Sequence, residues 1–135
     1  NDFDIRDLKP YNYPIIFHGE VEKSQIIRQQ ISADVLVNIG NSTHYQLPSK
    51  IVDYALTGKP ILNISSLKND SSSNFLNSYP NSKTVCLTDI LDEKKVSEVA
   101  SFLNNRQILP LNEVLGIVES NRVEVVSRAY RDLLT

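Results

Sequence analysis

Residues 46–62, read Gln-Leu-Pro-Ser-Lys-Ile-Val-Asp-Tyr-Ala-Leu-Thr-Gly-Lys-Pro-Ile-Leu, constrain the fold of this chain more than any other stretch. Proline at a first helical position has no amide to leave unpaired, and glycine just past a helix end accepts the left-handed turn without a Cβ clash. The stretch therefore predicts a short helix that starts with Pro48, stops at Gly58 and feeds a buried strand from Pro60 to Ile64. Lys50 breaks the local rule. A cation in the first turn faces the positive end of the helix dipole, which costs a few tenths of a kcal/mol. Such conflicts gather at functional sites, and a bound anion would remove this one, because free backbone amides and the dipole already favour phosphate there. The plain alternative is an ordinary helix start whose Lys50 pairs with Asp53 one turn later.

Other apolar runs alternate with helical patterns. Pro14 to Phe17 and Asp34 to Ile39 read as strands, and Thr84 to Leu87 as another. Ser24 to Ala33 has helical spacing with Ile26, Ile27 and Ile31 on one face. Asp92 to Asn104 reads as a helix with Val96, Val99, Ala100 and Leu103 inward; Leu111 to Glu119 follows Pro110, and Ser120 caps a last helix ending near Leu134. Gly40 to Leu47 is a polar loop. Ser65 to Asn81 is a loop with at most a short helix, its serines 71 to 73 solvated or capping. Residues 1–13 read as a loop or frayed end, and 14–135 as one domain. Strands alternating with helices of this length imply an α/β fold with a parallel sheet, and strands apolar on both faces imply helices on both sides, a Rossmann-like three-layer arrangement. Ligands of such sheets sit beyond the carboxyl ends of the strands, here His18 to Val21, Asn38 to Asn41, Ser65-Ser66 and Thr88-Asp89.

Composition excludes several classes. Net charge is -2 with a pI of about 5.6, unlike the basic face of a nucleic-acid module. A single cysteine, Cys86, lies in an apolar run, so no disulfide framework exists and the thiol reads as inert core. No apolar run approaches the roughly 20 residues that span a bilayer, and no signal-peptide pattern opens the chain. Methionine is absent, so the chain reads as an excised piece of a longer protein. With 2 histidines and 1 cysteine no metal-ligand spacing appears, and no metal or resident cofactor is expected. No glycine-rich phosphate loop occurs, and the serine cluster lacks partners for nucleophilic catalysis. Asp53 could hold the vicinal hydroxyls of a ribose, as an acidic residue does in dinucleotide sites; a surface carboxylate is the commoner role. His18, before the turn-permitting Gly19, reads as a partly buried structural histidine sooner than as a base or ligand.

The order of these pieces resembles a known family. His18-Gly19-Glu20-Val21, a helix, Ala33-Asp34-Val35-Leu36-Val37-Asn38, then Leu47-Pro48-Ser49-Lys50-Ile51-Val52-Asp53-Tyr54 and Thr57-Gly58-Lys59-Pro60-Ile61-Leu62 are similar to the C-terminal, nucleotide-sugar-binding domain of bacterial group one glycosyltransferases, family four, with the two-domain GT-B fold. The likeness runs from about residue 14 to residue 64 and includes the terminal Ala129-Tyr130-Arg131-Asp132-Leu133-Leu134. It implies that Pro48, Ser49 and Lys50 bind the donor diphosphate, that Asp53 holds the ribose, and that Gly19, Glu20 and Val21 line the nucleobase. The family's paired glutamates would fall at Tyr45 and Asp53, so Asn41, His44 or Tyr45 takes the donor sugar. The extra strand-helix-strand unit that opens the family's domain is not legible before residue 14.

What the resemblance implies is part or all of the C-terminal half of an enzyme of polysaccharide or glycoconjugate synthesis. It would transfer a sugar, with retention, from a UDP or GDP donor to a saccharide or lipid-linked acceptor. The piece alone would be inactive, with no catalytic residue assigned within it. The partner is an N-terminal acceptor domain, which could touch the inner face of the membrane in a cytoplasmic enzyme; a homo-oligomer stays open. The alternative is a non-catalytic α/β module of the receiver type, suggested by Lys59-Pro60.

Overall fold

The computed structural model describes residues 14–40, 49–89, 92–104 and 107–121. Helix α1 spans Lys23–Ser32, β1 Leu36–Ile39, α2 Ser49–Leu56, β2 Ile61–Ser65, α3 Ser71–Leu76, β3 Ser82–Cys86 and α4 Glu93–Asn104. A 3-10 turn, Leu87–Asp89, follows β3, and residues 111–121 form α5. The sheet is three-stranded and parallel in the order β1-β2-β3, so the fold is α/β.

Helix α2 forms for the reasons its sequence offers. Ile51 and Ala55, one turn apart, are fully buried and pack with Leu36, Ile61, Phe75, Leu76, Tyr79 and Val114. Burying a side chain such as Ile51 is worth about 1.5–3 kcal/mol. The helix stops at Gly58, whose φ of 71° suits a residue without Cβ; a Cβ there would also meet the Leu109 carbonyl oxygen at 2.5 Å. Buried Pro60 then leads into β2 and accepts the Leu36 amide at 2.9 Å.

This amino end of the sheet is tied by side chains. Asn81 donates to the Gly58 and Gln107 carbonyls at 3.1 and 2.6 Å, the Tyr79 hydroxyl donates to the Lys59 carbonyl at 2.8 Å, and Lys59 Nζ donates to the Ile31 and Ala33 carbonyls at the end of α1. Val114 brings α5 into the same core. Lys83, on the opposite face of β3, pairs with Glu98 of α4 at 2.9 Å, so helices lie on both sides of β3.

Several expectations need correction. Pro14 to Phe17 is not a strand; it is irregular and exposed, and the described sheet has three strands rather than four. Pro14 offers no amide to a neighbouring strand, and a run this short has little else to hold it. The Ile26, Ile27 and Ile31 face of α1 is exposed, and so is the outer face of β1, with Val37 at 47% and Ile39 at 73%. Among the described residues no layer covers that face. In α4, Val96 and Leu103 face solvent as well, and no α4 residue is buried. Ser120 lies within α5, where its hydroxyl donates to the Ile117 carbonyl at 2.9 Å and does not start a new helix there. The helix drawn to Leu134 and the loop 41–47 fall outside the described residues.

Candidate functional site

At the carboxyl end the sheet changes character. Register pairs Asn38 with Asn63 and Asn63 with Thr84, so the three side chains form one transverse row, one step beyond the row that holds Leu36 and Ile61. The Asn38 amide donates to Asn63 Oδ1 at 2.7 Å. The Asn63 amide donates to Ser73 Oγ at 3.2 Å and Thr84 Oγ1 at 3.4 Å. Ser73 in turn gives its backbone N–H, at 2.8 Å, and its hydroxyl to Asp70 Oδ1. Asn63 is fully buried, and Asn38, Asp70 and Ser73 are buried too. Polar groups this deep persist when they are hydrogen-bonded.

Asp70 caps α3, an expected role for aspartate. Its second oxygen, Oδ2, and the hydroxyl of buried Ser72 have no hydrogen-bond partner. The residue facing Oδ2 is Gly40 at the exit of β1: a Cβ there would run into that oxygen. Gly40 itself donates to the Ile64 carbonyl at 2.7 Å. Sequence reasoning passed over Asp70 and Asn63, and took serines 71 to 73 for solvated or capping groups. They are buried, and the signal that could have found them is an aspartate before three serines at the start of an apolar pair, Phe75-Leu76.

The residues singled out for the donor are placed as follows. Ser49 opens α2, and Lys50 and Asp53 lie on its exposed side, away from Ile51 and Ala55. Lys83 and Lys95 pair with Glu98, and among the described residues no ion pair joins Lys50 to Asp53. In a parallel sheet the helix after a strand runs back against it, so α2 starts at the carboxyl edge, beside the polar row. Gly19 has a φ of 65° in an exposed turn; Glu20 is exposed and Val21 half-buried. No strand holds these three at the carboxyl edge, because 14–17 is irregular. His18 is exposed, correcting the expectation of a partly buried side chain. Pro48, Asn41, His44 and Tyr45 lie outside the described residues.

Cys86 also departs from expectation. It ends β3 half-exposed, and the Thr88 hydroxyl donates to its sulfur at 3.2 Å. That hydrogen bond, joined by one from the Thr88 backbone, holds the thiol below its ordinary pKa.

Among the described residues no group of three or more His, Cys, Asp and Glu side chains could hold a metal ion, and no helix is long and apolar enough to cross a membrane. No family model, curated protein or solved structure matches this chain.

Proposed function

We propose that this chain is the donor-binding domain of a glycosyltransferase that uses a nucleoside diphosphate sugar, with a Rossmann-like fold of the GT-B kind. The observation that carries the reading is Lys50: an exposed cation in the first turn of α2, not paired with Asp53, at the carboxyl edge of a parallel sheet. The α2 amides and the Lys50 ammonium would stabilise the charge that builds on the departing diphosphate. Asp53, exposed one turn along the same side of α2, would accept the ribose hydroxyls. Acceptor binding and any general base would belong to the other half of the enzyme.

The receiver alternative loses its main support. Lys59 sits at the amino end of β2, committed to the last carbonyls of α1, at the opposite end of the sheet from where a phosphorylated aspartate would stand.

Calorimetric titration with UDP and GDP tests the proposal. Lys50→Ala is expected to weaken binding about tenfold or more, since a hydrogen bond to a charged group is worth about 1.5–3 kcal/mol. Equal affinity of mutant and parent refutes it.

A further inference from the structure

We propose that Lys59 is a positioning residue for the nucleotide: it clamps α1 to the sheet and so holds the turn Gly19 to Val21 that would line the base. The inference rests on the donor reading above and adds to it a residue that touches no ligand.

Helix α1 has little of its own to hold it. None of its 10 residues is buried, and Ile26, Ile27 and Ile31 are exposed. Its N-cap residue, Glu22, makes no side-chain cap bond, its first turn carries no acid and its last turn no base. A helix this short is marginal in water without tertiary support, and its last carbonyls need donors from elsewhere. Lys59 supplies them. Its ammonium, carried by a distant segment of the chain, donates to the Ile31 and Ala33 carbonyls. A cation there also meets the negative end of the helix dipole.

The clamp has a fixed base. The Lys59 N–H donates to Thr57 Oγ1 at 3.2 Å, and its carbonyl accepts the Tyr79 hydroxyl at 2.8 Å. Fully buried Pro60 follows, immediately before β2. Ala33, just past α1, packs against the core beside this tie, so α1 is held by its last turn at the amino end of the sheet.

Length carries that hold to the other end. A 10-residue helix is about 15 Å long, against about 13 Å for the four residues of β1. Run back along β1, α1 brings its first turn, with Gly19 to Val21 before it, level with the carboxyl edge where α2 starts. The place of that turn then depends on α1, and through α1 on Lys59.

Two measurements on the chain test this. Hydrogen exchange reads the clamp. Lys59→Met keeps the aliphatic stem and removes the donors; the α1 amides should exchange about tenfold faster, the lower end of what a hydrogen bond from a charged group is worth, while β2 exchanges as in the parent. Lys59→Arg restores a cation with several donors and should recover most of the protection. Calorimetry with UDP, GDP and inorganic pyrophosphate reads the consequence. Lys59→Met should weaken the tighter nucleotide about tenfold and leave pyrophosphate, which needs only Lys50 and the α2 amides, unchanged; Lys59→Arg should restore the nucleotide. Should pyrophosphate bind too weakly to measure, the nucleotide loss and its recovery in Lys59→Arg decide the matter. Unchanged α1 exchange in Lys59→Met overturns the inference, as does an equal loss for nucleotide and pyrophosphate or no loss for either; each of these leaves the Lys50 reading standing. A parent that binds none of the three overturns the Lys50 reading and this one together. Should Lys59→Met not fold, Lys59→Gln is read in the same way.

Discussion

Gly40 and Asp70 are fitted to each other: the carboxylate that caps α3 occupies the space a side chain at the end of β1 would need. The exit of one strand and the exit of the next are thereby locked together, and the absence of a Cβ is as much a part of the lock as the carboxylate.

Gly40→Ala should accordingly destabilise the chain by about 1–3 kcal/mol, the usual penalty for forcing atoms into a packed site. Asp70→Ser should remove most of that penalty in the double variant, because the clashing oxygen is gone. Urea unfolding of the two single variants and the double gives the coupling; simple additivity would mean the two residues do not meet.

Asn63 joins three elements through Asn38, Ser73 and Thr84. Asn63→Ala should cost about 2–3 kcal/mol, since it strands the buried Asn38 amide. Replacing Asn38 and Asn63 together by leucine should cost less than the sum of the single changes, because no polar group is then left without a partner. Denaturant midpoints decide it.

How legible was this fold from the residues? The α2 segment was, because Gly58, Pro60 and the Ile51–Ala55 spacing act locally, and β2 and β3 lie within a residue or two of their expected bounds. What failed were judgements that depend on neighbours. Pro14 to Phe17 has the composition of a strand, but pairing is decided by an adjacent strand and a cover, and among the described residues the outer face of β1 is exposed. The isoleucines of α1 have the right period, and no described residue buries them. At the site, Lys50 was visible because it contradicts the helix dipole by itself. Asp70 was not, because its meaning comes from Gly40, Ser73 and the buried row, which sequence distance hides.

Burial holds the Tyr79 hydroxyl well above the ordinary tyrosine range. A group whose folded pKa is raised stabilises the fold below its unfolded value, about 10, and that contribution is lost as pH rises past it. Stability should therefore decline above pH 10, and ultraviolet titration should show one tyrosine that ionises only on unfolding. Tyr79→Phe should remove this late tyrosine and cost about 1 kcal/mol at neutral pH through the lost bond to the Lys59 carbonyl.

Glu98 behaves in the opposite sense. The Lys83 hydrogen bond, then the charges of Lys83 and Lys95, hold its carboxyl below the usual range. Its contribution is present above the unfolded value and fades as pH falls through the lower folded one. Glu98→Gln should flatten the acid limb of the stability profile below about pH 4; an unchanged limb would show that this half-buried pair contributes nothing.

Cys86 should react with iodoacetamide at lower pH than an ordinary thiol, given its Thr88 partner. Thr88→Val should shift the rate profile to higher pH, measured by mass spectrometry of the alkylated chain.

Whether the start of α2 cradles a nucleotide's diphosphate, as proposed, is tested most directly by amide chemical-shift mapping with UDP and GDP. The expected result is a cluster of saturable shifts at Ser49, Lys50, Ile51 and Asp53, lost in Lys50→Ala, with Lys59 and Asn81 at the other end of the sheet unmoved. Saturation that leaves Ser49 to Asp53 still, or shifts centred on Lys59, would contradict it.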